Sequence, residues 1–348
     1  MEYIDYSDHV IYIEPKSTLP LLSSDKLAGS IVYGISELFP EKINDIVNDF
    51  KKLNHPFIVS SGFPYIKTAK KIIRFFPKPI QKPLKPEDRK KFDNIEKEIE
   101  YFKKSKELGA IEFLDEITFY EIINGKITNL ELFDLMEQKQ YFIKNNRFLL
   151  CKDNNEMVKD VSISYSKEIK PHNSINRIIQ HTKPFYFEGH RFHENNGIFF
   201  LIKFRDENIK DIVLSSLKFL EDRGLGSNIS SGSGHFKIGK IEIDTELEKN
   251  VTNNGQFYLL LSRFIPNKYD IEHLKNHISD SLYDIDFKQG RIMKNSIFKN
   301  KIRFFKEGSV FPVNKTNDNW GNVILENNYS KNKYMEYGIP FKVKYVGD

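Results

Sequence analysis

The residues best suited to chemistry form one run: Arg223-Gly224-Leu225-Gly226-Ser227-Asn228-Ile229-Ser230-Ser231-Gly232-Ser233-Gly234-His235-Phe236. It holds four glycines and four serines in fourteen positions. Glycine admits positive φ and close backbone approach, so successive amide N–H groups can form an anion-binding nest to which serine hydroxyls add donors. Two nucleotide-binding glycine patterns fail against it. A P-loop needs Lys-Ser or Lys-Thr after its last glycine, and here His235-Phe236 follows. A dinucleotide fingerprint needs a strand before the glycines and a helix after, whereas helical spacing over 209–222 precedes and a strand-like run, 236–243, follows. A helix cap at Gly224 would use only the first glycine. The surplus suits a backbone surface that follows a ligand chain.

Five histidines, His172, His181, His190, His193 and His235, are candidates for metal-independent acid-base cleavage of RNA. That reaction needs two groups across one phosphate, which sequence spacing does not establish, so no catalytic residue is assigned. His190 and His193, with Glu188, suggest a metal site, but positions i and i+3 of a strand face opposite sides, so none is assigned. Asp25 stands where a helix begins, and capping with dipole compensation accounts for it better than catalysis. Cys151 is the only cysteine, which excludes an internal disulfide framework and multi-cysteine zinc sites. No cofactor is implied.

The chain has 348 residues and a net charge of only +5, from 53 Lys plus Arg against 48 Asp plus Glu. The charge is unevenly distributed. Residues 65–91 hold ten cations (Lys67, Lys70, Lys71, Arg74, Lys78, Lys82, Lys85, Arg89, Lys90, Lys91) against Glu87 and Asp88. A second run, 288–306, has Lys288, Arg291, Lys294, Lys299, Lys301, Arg303 and Lys306 with no acid. Both contain phenylalanines, a pairing that favours nucleic acid over a plain solvated face. Nothing at the N-terminus resembles a signal peptide and no segment approaches 18 apolar residues, so a cytoplasmic protein with no membrane partner is expected.

These residues must be positioned by a scaffold. A strand over 4–14 leads to a helix near 23–38, capped by Ser23 or Ser24, then a helix over 41–53 and a strand at 57–60. The stretch 62–183, with four prolines between Pro77 and Pro86, reads as an insertion with its own hairpins. Strands at 184–193 and 197–204, the helix 209–222 and the strand 236–243 complete a first unit. Its order is that of an α+β, ferredoxin-like (RRM-like) split βαβ. Residues 246–255 read as a linker. The expected domains are therefore 1–250, with the glycine-rich loop 223–235, and 251–348.

The pattern G-x-G-x-x-x-x-x-G-x-G-x-F between helix and strand resembles the signature of the RAMP superfamily of CRISPR-associated proteins. Other segments resemble one branch of it: Ser24-Asp25-Lys26-Leu27-Ala28-Gly29, Phe76-Pro77-Lys78-Pro79, His172-Asn173-Ser174-Ile175-Asn176-Arg177, Lys306-Glu307-Gly308-Ser309-Val310-Phe311, and Tyr337-Gly338. That branch is the Csm subunit of type III-A effector complexes that caps the crRNA 5′ end. The family pattern has arginine at the position of Ser174 and aspartate at that of Asn176, so Arg177 is the member of its motif carried over most directly.

The resemblance implies two ferredoxin-like domains, a thumb-like insertion, and a non-catalytic role in antiviral defence. The crRNA 5′ tag would be the ligand. The large signalling subunit and the backbone RAMP subunit would be neighbours, and target RNA would pass near the thumb. The RNA-binding residues expected are Ser24, Lys26, Lys78, His172, Asn173, Arg177, Arg191, Arg223, Gly224, Gly226, Ser227, Asn228, Ser230, Ser231, Gly232, Gly234, His235, Lys288, Arg291 and Arg303. The alternative is a metal-independent RAMP endoribonuclease that processes repeat RNA.

Overall fold

The computed structural model describes residues 8–20, 22–82, 95–159, 161, 163, 165–175, 182–226, 229, 232–251, 254–289, 300–314, 319–327 and 333–347. The first half of the chain forms β1 (Asp8–Pro15), α1 (Ser24–Leu38), α2 (Ile43–Lys51), β2 (Phe57–Val59), β3 (Phe63–Lys67), β4 (Ile72–Pro77), α3 (Ile95–Ala110), β5 (Phe113–Asp115), α4 (Glu116–Ile123), α5 (Asn129–Glu137), β6 (Tyr141–Lys144), β7 (Phe148–Cys151) and α6 (Lys152–Met157). Next come β8 (Tyr165–Ile175), β9 (Thr182–Phe192), β10 (Asn196–Phe204), α7 (Glu207–Arg223), β11 (Phe236–Ile243) and α8 (Thr245–Asn250). The last part comprises β12 (Phe257–Leu260), α9 (Lys268–His277), β13 (Ile285–Lys288), β14 (Ile302–Phe305), β15 (Val310–Pro312), β16 (Asn322–Asn327), β17 (Lys333–Gly338) and β18 (Lys342–Tyr345). Among the described residues no helix is long and apolar enough to cross a membrane.

The main sheet runs β11-β1-β10-β3-β4-β5-β7-β6, with β2 also pairing β10. Its first four places follow the order fourth, first, third, second of a βαββαβ unit, the expected ferredoxin-like arrangement. β10 explains why this sheet is stable. Its sequence NGIFFLIKF is apolar at nearly every position because both faces are covered. Ile198, Phe200 and Ile202 pack with Ile31 and Ile35 of α1 and Val213 and Leu217 of α7. Phe199 and Leu201 pack on the other side with Leu259, Leu261, Phe341 and Val343 from the C-terminal part.

The insertion differs from the expectation. β3 and β4 belong to the main sheet, and β5, β7 and β6 prolong it, so most of 62–183 is integral. Only β8 and β9 stand apart, as a separate two-stranded ribbon with eleven paired positions. The supposed linker at 246–255 begins with a helix. Asp244 caps α8 by accepting from Leu247 N at 3.1 Å, and Leu247 is buried. Asp244 also pairs with Arg74, whose Nε lies 3.1 Å from Glu116. A buried guanidinium needs such partners, since an isolated charge there would be strongly destabilising.

After residue 250 the sheet β15-β12-β18 forms, flanked by the β13–β14 ribbon. The β16–β17 ribbon returns to the N-terminal helices: Val323, Tyr337 and Ile339 enter the core beneath α1, and the Tyr337 hydroxyl accepts from Val59 N at 3.1 Å.

Candidate nucleic-acid interface

α7 ends at Arg223, and Gly224 follows with φ +97° as its amide bonds Leu220 O at 2.7 Å. Leu225 is buried in the helix–sheet core. Its amide bonds Gly234 O at 2.9 Å, and a Cβ on Gly234 would lie 2.1 Å from Leu225 O. With φ +85° as well, Gly234 is required by close approach and by backbone conformation. The neck of the loop is thus a closed backbone contact. Gly232 is unlike Gly234: with φ +81°, an added Cβ would meet nothing within 4 Å among the described residues. Gly226 sits on Pro20, whose Cγ would lie 3.3 Å from an added Cβ. Arg223 and His235 are exposed beside the neck, the Arg223 guanidinium 5.4 Å from the Tyr33 ring. Ser227, Asn228, Ser230 and Ser231 lie outside the described residues.

The loop is fastened to residues 16–20, which also carry the ribbon. Gly234 N donates to Thr18 O at 2.9 Å, His235 N to Ser17 Oγ at 2.9 Å, and Lys16 N to His235 O at 2.8 Å. From the same segment, Leu19 and His190 exchange backbone bonds of 3.0 and 2.7 Å, and the Thr18 hydroxyl donates to Glu168. Gly189 leaves room for Thr18, whose Cγ2 would lie 2.2 Å from an added Cβ. Thr18 and Leu19 therefore form a strut between the glycine-rich loop and the root of β8–β9. The ribbon extends about 35 Å at the usual rise of a strand.

Arg191 is exposed at the ribbon root, opposite Ser166. His172 and Asn173 pair with Phe185 and Pro184, which places them about 17 Å farther out than His190. Arg177 and His181 lie outside the described residues. The histidines do not assemble into an acid-base pair among the described residues: His172 and His190 face opposite sides of the ribbon, and His193 lies beyond β9. Burial, with Arg147, Lys167 and Lys26 nearby, lowers the His190 pKa, so it holds a proton poorly. No group of three His, Cys, Asp or Glu among the described residues could hold a metal.

Two of the segments that carried the family resemblance, 76–79 and 306–311, meet at a cleft of about 800 Å³. Ser23, Lys78 and Pro79, and Lys306 and Glu307 line it with Arg147, Tyr165 and Arg263. Ile80 N bonds Gly308 O at 2.8 Å, and a Cβ on Gly308 would lie 2.6 Å from Lys78 O, so the two motifs need that glycine to meet. Sequence reasoning missed the cleft because its walls come from positions far apart in the chain. The only signal was the quoted motifs themselves.

Several expected ligand-binding side chains turn out to hold the fold. Ser24 is fully buried, and its hydroxyl accepts from Arg263 N at 3.0 Å, so it presents nothing to a ligand. Lys78 donates to Leu108 O at 2.7 Å. Lys288 pairs with Asp25 and lies 3.6 Å from Glu336. Asp25 also receives Arg263 at 3.0 Å; burial would raise its pKa, but Lys288 and Arg263 outweigh that and hold it at about 2. Ser23 occupies the N-cap of α1 without a side-chain capping bond, so Asp25 serves chiefly as a tie to the C-terminal part.

The run at 65–91 is likewise not one basic surface: Lys67 pairs with Glu14, Lys71 with Glu116, and Arg74 is buried. Lys85, Arg89, Lys90 and Lys91 lie outside the described residues, as does Arg291. Lys26 and Arg303 are exposed.

No family model matches the chain. Two curated relatives do, both named CRISPR system Cms protein Csm4. One, from Methanocaldococcus jannaschii, is 32% identical over 93 residues, 24% of this chain and 25% of its own length. The other, from Thermococcus onnurineus, is 25% identical over 179 residues, 51% of this chain and 54% of its own. The chain thus matches about half or less of the length of these relatives.

Among solved structures, a chain of the Csm3–Csm4 subcomplex of the type III-A CRISPR-Cas interference complex superposes with a TM-score of 0.66 at 20% identity, covering 97% of this chain and 99% of that one. A chain of a Csm1–Csm4 cassette in complex with pppApA superposes at 0.54 and 16% identity, with 97% coverage of both. Csm4 is the component these two assemblies share. The fold is that of Csm4. This bears out the resemblance read from the motifs. It also fits the ferredoxin-like sheet order.

Proposed function

We propose that this chain is a non-catalytic subunit of a type III-A Csm interference complex that holds the crRNA 5′ tag and joins the large signalling subunit to the backbone subunit. One observation carries the reading. Residues 16–20 bond to both the glycine-rich loop and the ribbon root, Leu22 and Ser23 just after them line the cleft, and Lys26 is exposed one turn on. Backbone amides of the glycine-rich loop and the exposed Lys26, Arg191, Arg223 and His235 would contact phosphates and sugars. The ribbon reaches outward toward the paired region of the guide. Phosphate contacts position an RNA, and splayed bases with 2′-hydroxyls supply preference for one sequence.

The test uses the reconstituted complex. Gly232→Leu adds bulk where a Cβ meets no described residue within 4 Å, away from the neck, so the variant should assemble and melt within a few degrees of the parent while losing retention of the crRNA tag. Unchanged retention contradicts the proposal. Incubation of the complex with repeat RNA should leave the RNA intact. Cleavage that disappears when His172 and His181 are replaced would instead establish the endoribonuclease.

A further inference from the structure

The β13–β14 ribbon has two unlike faces. Strand pairing sets Asp286 opposite Phe304 and Lys288 opposite Ile302 on one of them. That face lies against the body, where Lys288 pairs with Asp25 and the Arg263 guanidinium stacks 4.1 Å from the Phe304 ring. The other face pairs Ile285 with Phe305 and Phe287 with Arg303. Near its root, Tyr283 is already engaged, 5.1 Å from the Phe305 ring and 6.1 Å from that of Phe311.

Phe287 differs. It is 59% exposed and makes no ring–ring contact among the described residues; its only ring partner there is Lys301, whose Nζ lies 3.6 Å from the ring centroid. Arg303, directly across the ribbon, is exposed and carries no ion pair among the described residues. Most other cations near the cleft are paired: Arg263 with Asp25, Lys306 with Asp284, and Arg147 with Glu112.

We infer that Phe287, Lys301 and Arg303 form a stacking platform for one unpaired nucleotide of RNA, distinct from the glycine-rich loop. The base would lie on the phenylalanine ring and its flanking phosphates would meet the two cations. The arrangement calls for a ligand with a flat apolar face and negative charge close beside it, which is the chemistry of a nucleotide. Ile285, 51% exposed and two residues along the same face, extends the apolar floor, while Lys301 on the ring and Arg303 across the ribbon supply the positive charge beside it. Asp284 and Lys306, at the ribbon root, line the cleft, so an RNA strand leaving the cleft would reach the platform directly. The inference rests on the RNA-binding reading above.

The experiment measures binding of a short single-stranded RNA carrying 2-aminopurine to the full chain and to the reconstituted complex. Phe287→Ala should weaken binding on the order of tenfold, within the range that one base–aromatic stack supplies, and abolish fluorophore quenching. Phe287→Trp should keep both. Phe287→Leu retains apolar area but no ring, so it should behave like the alanine variant. Because Phe287 is exposed, all three should melt like the parent. Equal affinity of the alanine and parent proteins overturns the platform alone, whereas a parent that binds no RNA overturns the wider reading and the platform with it. A leucine variant that binds like the parent, or a defect confined to subunit assembly, shows a protein contact and overturns the platform.

Discussion

Substituting Gly234 by alanine tests the structural neck of the loop apart from Gly232. The new Cβ would lie 2.1 Å from Leu225 O, inside any allowed contact, at a residue whose φ is +85°. Left-handed backbone costs an alanine about 1–2 kcal/mol. The displacement also breaks the 2.9 Å bond from Leu225 N to Gly234 O, about 1 kcal/mol more. A total near 3 kcal/mol corresponds to a fall in Tm of roughly 5 °C for a chain of this size. Gly232→Ala shares the backbone penalty but meets no atom of the described residues within 4 Å, so its cost should stay near 1 kcal/mol and its Tm shift near 2 °C. Thermal melting by circular dichroism reads the difference, and hydrogen exchange at the Leu225 amide shows whether the neck has opened. If Gly234→Ala melts within a degree of the parent, or no lower than Gly232→Ala, the closed-neck account fails.

Three further outcomes follow from buried charges. Asp25→Asn leaves Arg263 and Lys288 without their carboxylate and should destabilise the protein by about 3 kcal/mol in urea unfolding at pH 7. The pKa of Asp25 is depressed to about 2 in the fold, so its stabilising effect is full above the ordinary carboxylate value and is lost as pH falls from about 4 to 2; the asparagine variant should lack that part of the acid transition. Burial, reinforced by Lys342, lowers the His55 pKa to about 4, so the unfolded chain takes up the proton first and stability should decline from pH 6.5 toward 4. His55→Gln should flatten that slope in pH-dependent melting. Arg74→Ala strands the buried Asp244 and should cost about 4 kcal/mol, read as a lower denaturation midpoint; a change under 1 kcal/mol would mean the pair contributes little.

The helix-to-strand setting of the glycine-rich loop was legible because periodicity changes across it, from the helical spacing of α7 to the run of β11. The ferredoxin-like order was legible for the same reason. The uses of individual charges were not. Lys67, Arg74 and Lys288 read as a basic surface, yet their partners Glu14, Asp244 and Asp25 lie 53, 170 and 263 positions away. Nothing local marks such a pair. Likewise α8 was hidden by its polar composition, since one buried Leu247 and the Asp244 cap are what hold it. The strut at residues 16–20 carried no motif, and its role emerges only from contacts with His190 and Gly234 on either side.

The central claim, that a surface organised by the strut and the glycine-rich loop receives the crRNA 5′ tag, is tested most directly by crosslinking. A crRNA with a photoreactive nucleotide at its 5′ end, assembled into the complex and irradiated, should attach to this chain within residues 16–26 or 223–235. Crosslinks confined to neighbouring subunits would contradict the account.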